Sequence, residues 1–305
     1  GSWTVDNTNE TWYHSGVLEV RRRLSNGLRL SANYVFSKAM ANAFTADAGG
    51  GGGQPPTNRR PIGLDLARNV QISDLRHQFK VDATYELPFG KGGQFFSGAN
   101  GIVNGFIGGW TLAPTLRWQS GSPITIGNVQ LVGMTAKDLQ KAIKVRKEAN
   151  LVFFLPDDII LNSKKAFNID VTNTANNGYG TTFGSGGPTG RYLAPAGTGN
   201  CISTFGGQCG FTNLVVYGPT FFKLDASLSK KVKFGERLNI EFRATALDVL
   251  NHPNFRVGGF GADTAGFGCC GTTFGELANG SAYQDTSTTN DPGGRVIDLM
   301  FRINW

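Results

Sequence analysis

The chain has 305 residues, of which only 17% are charged and 43 are glycine, and its formal net charge is +7. No run of about 18 apolar residues occurs, which excludes a helical membrane span but not a barrel, whose strands carry their hydrophobicity in alternation. The cations are spread through strands and turns without a basic tract, so nucleic acid is not an expected partner.

Taken in order, residues 12–24 place Leu18, Val20 and Leu24 on one side of a strand, with Arg22 spoiling that side near its end. Ser25, Asn26 and Gly27 form a tight hairpin signal. The return strand alternates Leu28, Leu30, Ala32, Tyr34 and Phe36 against Arg29, Ser31, Asn33 and Ser37. Residues 38–74 hold five consecutive glycines and three prolines, and read as a long loop. The glycine run lacks a following Lys-Ser or Lys-Thr, so it is not a phosphate loop.

The next strand opposes Phe79, Val81, Ala83, Tyr85 and Leu87 to Gln78, Lys80, Asp82, Thr84 and Glu86. Residues 91–109 form a connection whose apolar patch, Ile102, Val103, Phe106 and Ile107, is placed to lie along a membrane surface. Residues 110–126 supply a fourth strand, with Trp110, Leu112, Pro114, Leu116 and Trp118 against Thr111, Thr115, Arg117 and Gln119. Its tryptophans are placed to mark the two edges of an apolar band, and Pro114 costs that strand a ladder bond.

Residues 127–219 are the longest interruption. Within them residues 135–147 read as a short helix with Thr135 as N-cap and Leu139 and Ile143 on one stripe. Its cations Lys137, Lys141, Lys144, Arg146 and Lys147 are expected to solvate a helix face rather than bind an acidic ligand. A second hairpin sets Phe222, Leu224, Ala226 and Leu228 opposite Lys223, Asp225, Ser227 and Ser229 and turns at Gly235 and Glu236. It returns with Leu238, Ile240, Phe242, Ala244 and Ala246 opposite Asn239, Glu241, Arg243 and Thr245. The phase slips at 247–250, as a bulge or as an exit from the membrane. Residues 251–293 form another long loop, with His252 shaping its entry. The last run, GRVIDLMFRINW, puts Ile297, Leu299, Phe301, Ile303 and Trp305 on one face and Val296, Asp298, Met300, Arg302 and Asn304 on the other. Such a terminal strand is an outer-membrane signal, with Trp305 in an interfacial aromatic girdle.

Cys201 and Cys209 would close a short ring in one loop, and Cys269 and Cys270 lie in another. Four cysteines allow three connectivities, and a zinc site would need closer spacing and nearby histidines, whereas the histidines are His14, His77 and His252. No cofactor or metal is expected. Those histidines have no Ser or Asp partner pattern and no nucleophile motif accompanies them, so no catalysis is expected. A soluble sandwich would need its apolar faces buried in pairs.

About seven strands result, and their connections alternate short and long, as in outer-membrane barrels with short periplasmic turns and long outer loops. The expected architecture is therefore an all-β, antiparallel transmembrane barrel segment in the bacterial outer membrane, with long extracellular loops at about 38–74, 127–219 and 251–293. Lys80, Asp82, Glu86, Arg117, Lys223, Asp225, Glu241, Arg243, Asp298 and Arg302 are its candidate lumen-facing polar residues.

The segments SNGLRLSANYVFSKAM, ISDLRHQFKVDATYELPFGKG, GGWTLAPTLRWQSGSPITI, FFKLDASLSKKVKFGERLNIEFRATALDVLNHPNF and FRINW, in this order, resemble the barrel of TonB-dependent outer-membrane transporters of the Oar-like branch. The resemblance implies that residues 1–305 are the C-terminal portion of a barrel of about 22 strands with a plugged lumen, the plug and periplasmic domain lying outside this chain. It implies uptake of an unidentified extracellular ligand driven through TonB, engaged by an N-terminal region beyond this chain. Outer-membrane lipid and the barrel-assembly machinery are the further partners expected. The rival expectation is a structural or adhesive surface protein anchored by the same barrel.

Overall fold

The computed structural model describes residues 11–41, 69–70, 74–127, 129–148, 151–167, 186–195, 214–234, 238–252, 254–257, 267–268, 274–275, 277–278 and 295–304. Trp305, the four cysteines, the glycine run at 49–53 and the turn at Gly235 and Glu236 lie outside the described residues.

In chain order the first half contains β1 (Thr11–Ser25), β2 (Leu28–Ala41), β3 (Asn69–Val70), β4 (His77–Glu86), α1 (Gly101–Ile107) and β5 (Trp110–Gln119). Next come β6 (Pro123–Gly127), β7 (Val129–Val132), α2 (Ala136–Ala142), β8 (Arg146–Glu148), β9 (Leu151–Phe153), α3 (Asp157–Ala166), β10 (Tyr192–Pro195) and β11 (Leu214–Tyr217). The chain closes with β12 (Phe221–Phe234), β13 (Leu238–Leu247), β14 (Arg256–Val257), β15 (Phe267–Gly268), β16 (Leu277–Ala278) and β17 (Val296–Asn304).

Seven long strands form one antiparallel wall in the order β1-β2-β4-β5-β12-β13-β17, with β3 added at the end of β2. Each is the neighbour of the strand that precedes it among the long strands, so the wall is a meander. Asn26 and Gly27 have φ of 51° and 75°, the left-handed pair that a two-residue hairpin turn requires. A Cβ on Gly27 would also stand 2.9 Å from the Glu86 carbonyl, and Glu86 N–H donates to the Gly27 carbonyl at 2.8 Å. Alternation fixes which side chains share a face, because partners in register project to the same side.

Two aromatic rows cross the apolar face. One runs through Tyr34, Phe79, Trp118 and Phe222, and the other through Trp110, Lys230, Phe242 and Phe301. Between them lie Leu112, Pro114 and Leu116 of β5, Leu224, Ala226 and Leu228 of β12, and Ala244 and Ala246 of β13. The β4–β5 pairing is interrupted opposite Pro114, whereas Ala226 pairs with Pro114 in an unbroken β5–β12 ladder. The proline thus directs its missing N–H toward β4.

Several sequence boundaries need correction. The fourth strand does not run through to Ile126. It ends at Gln119, and Pro123–Gly127 belongs to a different sheet with β11 and β15. The break falls at Gly121, where a Cβ would meet the Gly218 carbonyl oxygen at 1.8 Å, so the backbones leaving β5 and entering β12 cross too closely for any side chain. The loop expected at 38–74 begins later, since β2 continues to Ala41. The slip at 247–250 is an exit: β13 ends at Leu247, and Asp248 and Asn251 turn the chain with φ of 49° and 51°. The helix expected over 135–147 covers only Ala136–Ala142, followed by β8, so its cations do not share one helix face.

The interruptions after β5 and after β13 are not independent loops. They pack together into a cap whose buried core joins Ile124, Val129, Leu139, Phe154, Ile160, Leu193 and Val216 to Phe255 and Phe274. Phe154 N–H donates to the Gly275 carbonyl at 3.0 Å, and β15 pairs in parallel with β6. Neither insertion supplies this core alone, which is why each reads as loop in isolation.

Candidate functional site

Every candidate lumen residue lies on the polar face of the wall. Lys80, Arg117 and Lys223 form one rung across β4, β5 and β12. The next rung carries Asp82, Thr115 and Asp225. Three adjacent cations would repel one another, and the acidic rung two residues along offsets them. Lys223 approaches Asp225 at 3.2 Å, and Thr115 donates to Asp82 at 3.1 Å. Arg117 bonds Gln119 at 3.3 Å and lies over the Phe221 ring at 5.4 Å.

Toward the short-turn end, Glu86 pairs with Thr111, while Glu241 pairs across the ladders with Lys231 and Arg302. Arg243 donates to Glu241 at 2.9 Å, and Lys231 is 4.0 Å from the same carboxylate. Asp298 stands beside Thr245. On the opposite face Ile297, Leu299, Phe301 and Ile303 are exposed along the last strand.

The cap sits on the wall through residues that the sequence left inside loops. Asp74 is fully buried; it accepts from Ala39 N–H at 2.6 Å and from the Tyr217 phenol at 3.2 Å, and Arg76 stands 3.7 Å away. The Gln140 side chain holds the Tyr217 backbone from α2, accepting at 2.7 Å and donating at 3.0 Å. Burial, and then the Asp74 charge, push the Tyr217 phenol above its ordinary pKa. Nothing local in the sequence marks this latch, because its partners come together only when the cap docks.

An open cleft of about 310 Å³ in the cap is lined by Gly133, Met134, Asp138, Lys141, Ala142 and Arg191. Two of its charges, Asp138 and Arg191, are held in place. Asp138 N–H donates to Thr135 Oγ1 at 3.2 Å and Thr135 N–H returns to the Asp138 carboxylate at 3.0 Å, the capping box of α2. The Thr135 hydroxyl, which donates to the Asp138 carboxylate at 2.7 Å, and then the Thr135 N–H hold that carboxyl below its ordinary pKa.

Arg191 binds Asp158 of α3 through two nitrogens, at 2.6 and 3.3 Å, which lowers the Asp158 pKa and raises that of Arg191. Helix α3 lies where a loop is expected, and Asp157 and Asp158 in its first turn and Lys164 and Lys165 in its last complement the helix dipole. Arg146, expected on a solvated helix face, instead pairs with Asp157 and Glu148 and lies over the Phe153 ring at 5.0 Å.

Among the described residues no group of three or more His, Cys, Asp or Glu is placed to hold a metal ion. Tyr34 and His77 are joined by a 2.8 Å hydrogen bond, with His77 tilted against Phe36 and Trp118 on the apolar face. His252 meets the Phe222 ring edge-on at 6.0 Å where the chain leaves β13.

The family described as "Outer membrane beta barrel domain" matches residues 1–286. The chain belongs to that family. An outer-membrane barrel presents its apolar face to lipid, between two aromatic girdles, and its polar face to the interior. Trp110 and Trp118 are eight residues apart, about 27 Å along the strand at about 3.4 Å per residue. A strand tilt of about 40° reduces that to roughly 20 Å, near the height of about 25 Å for such an apolar band. The barrel wall thus lies in the bacterial outer membrane. Neither the curated proteins nor the solved structures contain a match to this outer-membrane barrel.

Proposed function

We propose that this outer-membrane barrel wall and its cap belong to a TonB-dependent, Oar-like transporter. In this reading the cap captures an extracellular ligand and the polar face lines the route inward. The observation that carries it is the cap itself: two insertions far apart in sequence share one apolar core and are latched to the rim of the wall through Asp74 and Tyr217. A fixed cap holds a recognition surface at the mouth of the barrel, which suits capture followed by passage. The wall ends in two edges, β1 and β17, that are not joined to each other among the described residues. In this reading further strands close the barrel between those edges, and a plug on which TonB acts fills its interior. No catalytic step belongs to this reading.

An adhesive surface protein would use the same cap as a contact surface and would need no passage. Cells lacking the protein separate the two. Loss of proton-gradient-dependent accumulation of an extracellular solute, with surface attachment intact, supports transport. Loss of attachment with accumulation unchanged overturns it.

A further inference from the structure

We infer that the connection between β4 and β5, residues 87–109, is an interfacial anchor that rests on the phospholipid leaflet at the short-turn end of the barrel. It lies at that end because Glu86, the last residue of β4, bonds to Gly27 of the first hairpin turn. The segment is folded rather than loose. Gly90 N–H donates to Phe95 O at 2.9 Å, Phe95 N–H to Pro88 O at 3.0 Å, and the Phe89 and Phe95 rings meet at 5.8 Å. Asn100 caps α1 by accepting from Val103 N–H at 2.9 Å, and Asn104 accepts from Lys91 N–H at 2.6 Å.

Within this fixed frame the apolar side chains point outward. Ile102, Phe106 and Phe96 are 77%, 75% and 70% exposed, and Phe89, Phe95 and Val103 are exposed beside them. Phe96 moreover adopts φ of 60°, a left-handed backbone that a bulky residue takes only under constraint.

The occupant follows from continuity with the lipid-facing wall. The Trp110 indole donates to the Phe106 carbonyl at 2.9 Å, and Lys230 donates to the same carbonyl at 3.1 Å and to the Gly108 carbonyl. Lys230 also lies 5.0 Å over the Trp110 ring. Both residues belong to the aromatic row at the short-turn end of β5, so α1 continues the apolar face past the start of that strand. Residues 87–109 contain no acidic residue and one cation, Lys91, a composition that suits the boundary of headgroups and acyl chains. The anchor serves the barrel whether or not it transports.

Spin labels test this in the intact protein purified from outer membranes and placed in vesicles of phosphatidylethanolamine and phosphatidylglycerol. The four native cysteines are first replaced by serine, and Phe96→Cys, Ile102→Cys and Phe106→Cys are labelled singly, with Ala226→Cys and Lys80→Cys as lipid-face and polar-face references. The expected result is a shift toward oxygen accessibility and away from a water-soluble nickel chelate, in the direction of the Ala226 label. Labels as open to nickel as the Lys80 label would overturn the proposal. So would labels shielded from both reagents, because a protein partner would then cover the patch.

Discussion

The Tyr217 phenol donates to the Asp74 carboxylate at 3.2 Å, tying the strand that leads out of the cap to the rim between β2 and β4. Both residues lie outside the long strands, and the bond between them ties the cap to the wall. Asp74→Asn keeps the shape but removes the charge to which the Ala39 N–H and the Tyr217 phenol donate. It should destabilise the docked cap by about 1.5–3 kcal/mol, the range for hydrogen bonds to charged groups. Faster amide exchange at Ala39 and across Leu214–Tyr217, with the β12–β13 ladder unchanged, is the expected readout.

The raised Tyr217 pKa gives this latch a pH limit. A folded pKa above the ordinary value of 10.0 means that the contribution is complete below 10.0 and is lost as pH rises through the higher folded value. Ultraviolet titration should show one late-ionising tyrosine that Tyr217→Phe removes. A titration curve unaltered by that substitution would count against the latch.

Gly121 is irreplaceable for a different reason. Gly121→Ala would bring a methyl group within 1.8 Å of the Gly218 carbonyl oxygen, a backbone atom that cannot swing away. A loss of at least about 1–3 kcal/mol follows from overpacking of this kind. Thermal unfolding of the assembled protein measures it, and Gly98→Ala, where a Cβ meets nothing within 4 Å, is the matched control.

Two neighbouring positions on β12 distinguish the faces of the wall. Ala226 lies midway between the aromatic rows on the apolar face, and Ser227 lies beside it on the polar face. Ala226→Arg should cost about 2–4 kcal/mol, as for arginine at the bilayer midplane, and Ser227→Arg much less. Reversible denaturant unfolding in vesicles gives both values, and equal costs would contradict the assignment of the faces.

The cleft in the cap responds to acid through the pair of Asp158 and Arg191. Because the Asp158 pKa is lowered, its stabilisation is present above the ordinary value of 3.8 and is lost as pH falls through the lower folded value. The two side chains are about half exposed, so water screens the pair and its contribution is at most about 1 kcal/mol. Arg191→Ala should return the Asp158 titration to about its ordinary position by NMR and flatten the acid dependence of cap unfolding.

The wall was legible in the primary structure because a strand that separates lipid from water must alternate, and that period of two also sets the face of every side chain. Lys80, Arg117 and Lys223 could be assigned to one face from their own strands, and their meeting in one rung needed only the register. The turn at Asn26 and Gly27 and the cap of α2 at Thr135 were equally local, each resting on a few adjacent residues. The helix α3 has a local signal in its paired acids and lysines, but the loop-like stretch around it gives that signal no periodic frame.

What only the tertiary structure decided is the cap. Phe274 and Phe255 bury in one core with Ile160 and Val216 across gaps in sequence that no local period spans, and Asp74 waits on Tyr217 for a hydrogen bond from the cap. Alternation is a property of one strand in two solvents, and can be seen in one strand. A core assembled from separate insertions is a property of distances between them, and exists only once the wall has brought those insertions to the same rim.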